Sequence, residues 1–383
     1  MCAQINRKMV DLRAHIFCLP CHTKPIKEKA GKDMETFTVK PRLFFGAGAL
    51  TALGELAGKR VLVVTDGFLA SSGLLDRVRA QLAGCEVTVF DQVEPDPSLE
   101  LVAQGVQVLR VCQPEAVIAF GGGSPMDCAK AVRWCAASAP PLWAIPTTAG
   151  TGSEMTSFAV ITDKEKGIKH PLVDDALLPE VAVLDAELLG GVPPSVTADT
   201  GMDVLTHAAE AYVSTRATPF TDALAEKACV MAYQNLPTAY RTLGGSQAKE
   251  AMLYASCLAG MAFNAASLGV CHSLAHTLGG RIHMPHGRLN AILLPRVIAF
   301  NAVQDTAAKK YARLAGLCGL AGSSRALAGA MNRLLTTLKL PKTLTVDDPK
   351  AIAAAAMEDR CTVTNPRKPS AADLESILRE LAV

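Results

Sequence analysis

Neither sign of charge dominates this 383-residue sequence: 38 Lys and Arg against 36 Asp and Glu leave a formal net charge of +2. With no Lys/Arg-rich tract in the body of the chain, no nucleic-acid partner is expected. Apolar runs are cut by charged residues, Gly or Pro well short of the about 20 residues that a membrane span needs, so no membrane partner is expected either. No stretch with the long apolar core of a secretory signal precedes the cysteines. All twelve are scattered, which fits a reducing cytosol better than a disulfide framework. A cytoplasmic location follows as the expectation. No internal repeat is visible.

What is present is apolar mass. Half of the residues are hydrophobic and 19% are charged, ample for large cores, and the length favours two domains. From about residue 41 to 190, β-branched runs alternate with helical stretches. "RVLVVTD" (60–66), "EVTVF" (86–90), "AVIAF" (116–120), "LWAIP" (142–146), "FAVIT" (158–162) and "EVAVLD" (180–185) read as strands. Several are continuously apolar, the signature of parallel strands covered by helices on each face. After "GVPPSV" (191–196), Ala, Leu and Met recur at helical spacing with almost no strand-like run. The expected fold is an α/β domain with a parallel, Rossmann-like sheet over 37–192, followed by an all-helical domain over 193–383.

The first 36 residues match neither domain. Ile5, Met9, Leu12, Ile16 and Leu19 form one helical stripe that Pro20 would end, and "TKPIKEKAGKD" (23–33) is a lysine-rich linker. Three readings compete: a disordered tail, a docking helix that targets the chain to a partner or shell, and a start upstream of the natural one at Met34. "CLPC" (18–21), flanked by His15 and His22, lacks the second Cys pair of a zinc site.

"AVIAFGGGSPMDCAKAV" (116–132) runs strand, glycines, helix. Its glycines, Gly121, Gly122 and Gly123, let the backbone approach a ligand. Ser124 suits the N-cap, Pro125 the first helical position and Asp127 an acidic capping box. A helix start of this kind presents N–H groups and a positive dipole end to a pyrophosphate. A tight structural turn explains the motif equally well in isolation. "PTTAGTGSE" (146–154) adds Thr147, Thr148, Thr151 and Ser153 as hydroxyl donors. Asp66 ends a strand, where an acid can accept from the adenosine ribose hydroxyls and repel a 2′-phosphate, favouring NAD over NADP. Taken alone, Asp66 reads more simply as a turn residue or helix cap.

The helical half holds the metal candidates. Asp203 and His207 in "TGMDVLTHAAEAY" (200–212) stand four apart, on one helix face. His272 and His276 in "GVCHSLAHTLGGRIHMPHG" (269–287) repeat that spacing, with His283 and His286 close behind. Carboxylate plus neutral imidazole is an oxygen and nitrogen set suited to Fe(II) or Zn(II). Spacing alone leaves open which of the later four histidines are ligands.

Together these four motifs, with the closing "DRCTVTNPR" (359–367), resemble the iron-dependent (group III) alcohol dehydrogenase family over roughly residues 37 to 383. "METFTVKPRLFFGAGAL", "IKHPLVDDALLPEVAVLD" and "FTDALAEKA" are most similar to the 1-propanol and ethanol dehydrogenases of bacterial microcompartments. The resemblance implies a metal-dependent, NAD(H)-linked reduction of a small aldehyde to its alcohol. It implies metal ligands at Asp203, His207, His272 and His286, and His276 beside metal and nicotinamide as a proton-relay or positioning group. His283 matches nothing catalytic. Asp66, Asp96, Gly121 to Ser124, Thr147, Thr148, Thr151 and Lys169 match NAD-contacting positions, and the resemblance implies that Phe158 and Phe263 would lie near the nicotinamide and substrate. A homodimer or larger assembly is implied, with a microcompartment shell or an aldehyde dehydrogenase as partner. Glycerol dehydrogenases and dehydroquinate synthase share the architecture with fewer of these histidines. A non-catalytic cargo protein is the rival from another class.

Overall fold

The computed structural model describes residues 37–136, 139–165, 168–282 and 284–381. The expectations for residues 1–36 and for His283 lie outside the described residues. The chain divides into two compact units, one of residues up to 147 with 153–188, the other of 148–152 with residues from 189 on. The contact boundary therefore falls at Leu188–Leu189, where composition places it at Pro193–Pro194. The "TAGTG" piece of the threonine loop belongs with the helical unit.

The first unit is built on a six-stranded parallel sheet. Its strands are β1 (Arg42–Phe45), β2 (Arg60–Asp66), β3 (Glu86–Val93), β4 (Ala116–Gly121), β5 (Leu142–Pro146) and β8 (Val181–Leu184), in the order β1-β8-β5-β4-β2-β3. Val61 to Val64, Ala116 to Phe120 and Leu142 to Ile145 are all buried. Successive strand residues face opposite ways, so unbroken burial means both faces of the central strands are covered.

"FAVIT" is a strand, but not of that sheet. It forms β6 (Phe158–Asp163), paired antiparallel with β7 (Ile168–Val173). Its burial alternates residue by residue, as expected for a ribbon covered on one face only. Strands β1 and β7 escaped the sequence pattern for separate reasons. "RLFF" is short and half exposed. "IKHPLV" carries a lysine and Pro171, and proline is tolerated only where no ladder hydrogen bond is required of it, as in an edge strand.

Among the described residues, the second unit is helical. Its helix α5 (Pro194–Val213), buried over most of its length, starts with Pro194 at its first position, which costs no hydrogen bond there. Helices α6 (Pro219–Arg241), α7 (Gln247–Ala266) and α9 (His286–Asn301) pack on it, and α8 (Val270–Ile282) packs on α9. Among the described residues, no single helix is long and apolar enough to cross a membrane.

Candidate active site

In the first unit, the glycine turn leads from β4 into α4 (Gly123–Trp134), the earlier helices being α1 (Gly67–Ser71), α2 (Leu74–Gln81) and α3 (Leu99–Cys112). Gly121 has φ +149°, and a Cβ there would lie 2.5 Å from Pro125 Cγ, so no other residue fits. The helix cap is Gly122, which has no side chain to bond the first-turn N–H groups. Ser124 and Asp127 therefore do not cap the helix as the sequence suggests. Asp127 is drawn elsewhere: it accepts from Ser153 Oγ and from the Val160 N–H, each at 3.0 Å.

Behind the turn lies a buried lysine. Lys130 Nζ donates to Ser153 Oγ, the Thr156 carbonyl and the Phe158 carbonyl, each at 2.8 Å, and lies 3.2 Å from Thr156 Oγ1. Burial lowers its pKa to about 8 against the opposing pull of Asp127 and Glu154. Burial likewise raises the Glu154 carboxyl to about 7. Ser153, held between Lys130 and Asp127, is thus a structural link rather than the hydroxyl donor expected for a cofactor. Nothing in the isolated motif marked Lys130 as internal.

Asp66 accepts from the Leu69 N–H at 2.8 Å and caps α1, the simpler of its two readings, with one oxygen. Lys169 Nζ donates to Asp96 Oδ1 at 2.6 Å, and Asp96 has φ +55°. Thr147 N donates to the Gly121 carbonyl at 3.0 Å, which ties the loop to the glycine turn. Gly121 to Ser124, Asp66, Asp96, Thr147, Phe158 and Lys169 belong to the first unit, Thr148 and Thr151 to the second.

In the second unit, α5, α8 and α9 bring the metal candidates together. His207 Nε2 lies 3.9 Å from Asp203 Oδ2, while His272 Nε2 and His286 Nε2 lie 3.8 and 3.9 Å from Asp203 Oδ1. The His207 and His272 rings stack at 4.7 Å, and Phe263 covers the other face of His207 at 4.5 Å. Gly287 explains how α9 comes so near: a Cβ there would lie 2.2 Å from the Asp199 carbonyl and 3.2 Å from Asp203 Cβ. Arg288 locks that approach with two hydrogen bonds to Asp199, at 2.9 and 3.0 Å.

The donors suit a divalent ion. Two ligand atoms each ~2.1 Å from one tetrahedral ion stand ~3.4 Å apart, so the observed separations need to contract by only a few tenths of an ångström. Burial raises the cost of the Asp203 charge, yet the facing imidazoles of His207, His286 and His272 and the Asn290 amide hold its pKa below the usual carboxylate range. Burial holds His272 well below the usual imidazole range and lowers His207 as well. Ionised carboxylate with neutral imidazoles is the protonation pattern that a metal requires.

Sequence reasoning passed over three supporting residues. Glu210 Oε2 lies 2.6 Å from His272 Nδ1, and its Oε1 accepts the Cys271 N–H at 2.7 Å. A carboxylate behind a ligating imidazole sets the tautomer that leaves Nε2 for the ion. Glu210 lies three residues beyond His207 on the same helix face, a signal present in "DVLTHAAEAY". Asn290, four residues after His286, donates to Asp203 Oδ1 at 2.7 Å and sits 3.1 Å from Nε2 of both His272 and His286. Asp359 Oδ2 lies 2.9 Å from His276 Nδ1, and the His276 ring stacks on His286 at 5.2 Å.

A parallel α/β unit with a glycine turn at its helix start, in one chain with a helical unit that holds one carboxylate ringed by imidazoles, defines a metal- and dinucleotide-dependent class of oxidoreductase. Comparison with known proteins narrows it. Residues 40–186 match iron-containing alcohol dehydrogenase, and residues 197–382 match the C-terminal part of the Fe-containing alcohol dehydrogenase family. The chain belongs to the iron-containing alcohol dehydrogenase family. It is 46% identical to the 1-propanol dehydrogenase PduQ of Salmonella typhimurium, over 91% of this chain and 100% of that one. It is 40% identical to the NADPH-dependent butanol dehydrogenase of Clostridium saccharobutylicum, over 90% and 97%. Among solved structures, a 1,3-propanediol oxidoreductase superposes with a TM-score of 0.86 at 38% identity, over 91% of this chain and all of that one. The sulfoacetaldehyde reductase of Bifidobacterium kashiwanohense, solved with NAD+, gives 0.85 at 28% identity, over 91% and 99%.

Proposed function

We propose that this chain reduces a short-chain aldehyde of the propanal or acetaldehyde type to its primary alcohol with NADH, and so regenerates NAD inside a bacterial microcompartment. The observation that carries the reading is the Asp203 carboxylate with three imidazole Nε2 atoms at 3.8 to 3.9 Å. Asp203, His207, His272 and His286 would hold iron(II), with zinc(II) as the alternative ion. Bound there, the ion would supply Lewis-acid polarisation of the substrate carbonyl, and the nicotinamide would supply the hydride.

The remaining work falls to side chains. Glu210 keeps the His272 ring turned with Nε2 toward the ligand cluster, and Asn290 orients the Asp203 carboxylate. Phe263 covers His207 and sheds water from that side. His276, stacked on His286 with its side chain 39% exposed, is the group we assign to proton delivery at the substrate oxygen. For the cofactor, we assign the pyrophosphate to the turn of Gly121, Gly122, Gly123 and Ser124, and the ribose to Asp66. Asp96, Thr147, Thr148, Thr151, Phe158 and Lys169 complete that set.

The substrate class is supported by the relatives named for 1-propanol and 1,3-propanediol. The microcompartment role is supported by the apolar stripe of Ile5, Met9, Leu12, Ile16 and Leu19. Full-length protein purified without oxygen and reconstituted with Fe(II) should oxidise NADH and form propanol from propanal in equal amounts. Metal-loaded protein that consumes no NADH with propanal or acetaldehyde refutes the substrate class. Deleting residues 1–33 should leave turnover intact and abolish co-purification with shells.

A further inference from the structure

One contact beside the metal candidates is not explained by ligand holding. His276 lies one helical turn beyond His272 on α8, and its Nδ1 meets Asp359 Oδ2 at 2.9 Å. Asp359 comes from the opposite end of the unit's sequence, as the cap of the 3-10 turn Arg360–Thr364. Its other oxygen, Oδ1, accepts the Cys361 N–H at 2.8 Å and lies 3.4 Å from Ser273 Oγ on α8. Thr362 Oγ1 ties the same turn to Ser273 Oγ at 2.8 Å and to the Ala356 carbonyl at 2.6 Å. With Oδ1 fixed by a backbone donor, the carboxylate presents Oδ2 to the imidazole in one orientation only.

We propose that Asp359 is the positioning residue for His276: it fixes the ring and the tautomer so that Nδ1 carries a proton and Nε2 faces the reacting oxygen. The inference rests on the proposed role of His276 in proton delivery and adds the device that aims it. The reaction balances as aldehyde + NADH + H+ giving alcohol + NAD+. The hydride forms the new C–H bond, and His276, as the imidazolium protonated on both nitrogens, loses its Nε2–H as the alcohol O–H bond forms, which leaves the neutral Nδ1–H tautomer that Asp359 holds. Solvent then returns the proton to Nε2. An acid behind an imidazole is the arrangement by which a general acid or base is held in the productive tautomer. Without it, the ring is free to turn or to shift its proton to the wrong nitrogen.

The near-isosteric variant Asp359→Asn separates aiming from packing. The Cys361 N–H requires an oxygen, so the amide must offer its NH2 to His276 Nδ1, which inverts the tautomer while the turn stays filled. In the Fe(II)-loaded protein, kcat with propanal should fall roughly a hundredfold, in line with the loss of general acid catalysis. The KM for NADH and the metal content should not change, and the solvent deuterium effect on kcat should rise. The tautomer itself is read without turnover, by 15N NMR of histidine-labelled, zinc-loaded protein, with the His276 signals assigned from a His276→Gln variant. Nδ1 should be protonated in the parent and unprotonated in Asp359→Asn. A parent spectrum with bare Nδ1, or an Asp359→Asn variant that keeps parental kcat, overturns the proposal. Because His276, Asp359 and Cys361 also offer ligand atoms within 4.8 Å of one another, a second equivalent of metal lost in Asp359→Asn overturns it too. The NMR readout stands even if propanal proves to be the wrong substrate.

Discussion

In the first unit, the buried charge of Lys130 is enclosed by oxygen acceptors from its own chain, and its bonding capacity is filled. In the second, Asp203, His207, His272 and His286 turn Nε2 atoms and carboxylate oxygens toward one another at 3.8 to 3.9 Å. Lone pairs gathered in this way repel unless something cationic or protic sits among them. The Asn290 amide supplies part of that, with contacts to three of the four. The difference separates two uses of buried polarity. A saturated network fixes the shape of a loop, while an unsaturated one reserves places for a ligand.

The largest expected effect tests the unsaturated side. Asp203→Asn or His272→Ala should bring bound metal close to zero and lower turnover on the order of a thousandfold, because the ion contributes several kcal/mol. Full activity with full metal content in either variant would remove the ligand assignment. Next comes the saturated side. Lys130→Met leaves its acceptors and Asp127 buried without their cation and should cost about 3–5 kcal/mol in urea unfolding, whereas an unchanged midpoint would show that the lysine holds nothing.

A smaller effect concerns Glu154, whose folded pKa of about 7 lies above its ordinary 4.5. A raised acid binds more protons folded than unfolded, so its contribution is fully present below pH 4.5 and is lost as pH rises to about 7. Glu154→Gln should therefore flatten the fall in stability across that window and stabilise the protein above it, by at most ~3 kcal/mol. A parallel pair of stability curves would contradict the assignment. Smallest is Asp66→Gly. Glycine replaces an acidic cap at a cost of a few tenths of a kcal/mol. Removing a repulsion of order 1 kcal/mol should then raise the NADPH to NADH ratio of kcat/KM roughly fivefold. An unchanged ratio in steady-state kinetics takes Asp66 out of the ribose site.

The sheet was legible because strands β2, β4 and β5 are buried on both faces and so are continuously apolar in sequence. "FAVIT" shows the limit of that signal: a β-rich run reveals a strand but not which sheet it joins. Asp203 and His207 were legible as a pair because four residues make one turn of helix. Glu210 shared that periodicity, yet an acid on a helix looks the same whether it faces solvent or the back of His272. Asp127 shows the opposite error. Local spacing made it a helix cap, and a loop 26 residues away claimed its carboxylate instead.

By itself the sequence determined the α/β and helical halves, the strands other than β1 and β7, the glycine turn and the i, i+4 pairs of Asp203 with His207 and of His272 with His276. These follow from backbone sterics and helical period, which act over a few residues. Only tertiary structure decided that residues 203, 207, 272 and 286 converge, that Lys130 lies inside, and that Asp359 meets His276 across 83 residues of chain. Such meetings depend on which helices can approach, as Gly287 allows α9 to approach α5. Close packing of distant surfaces sets that, and spacing along the chain does not encode it.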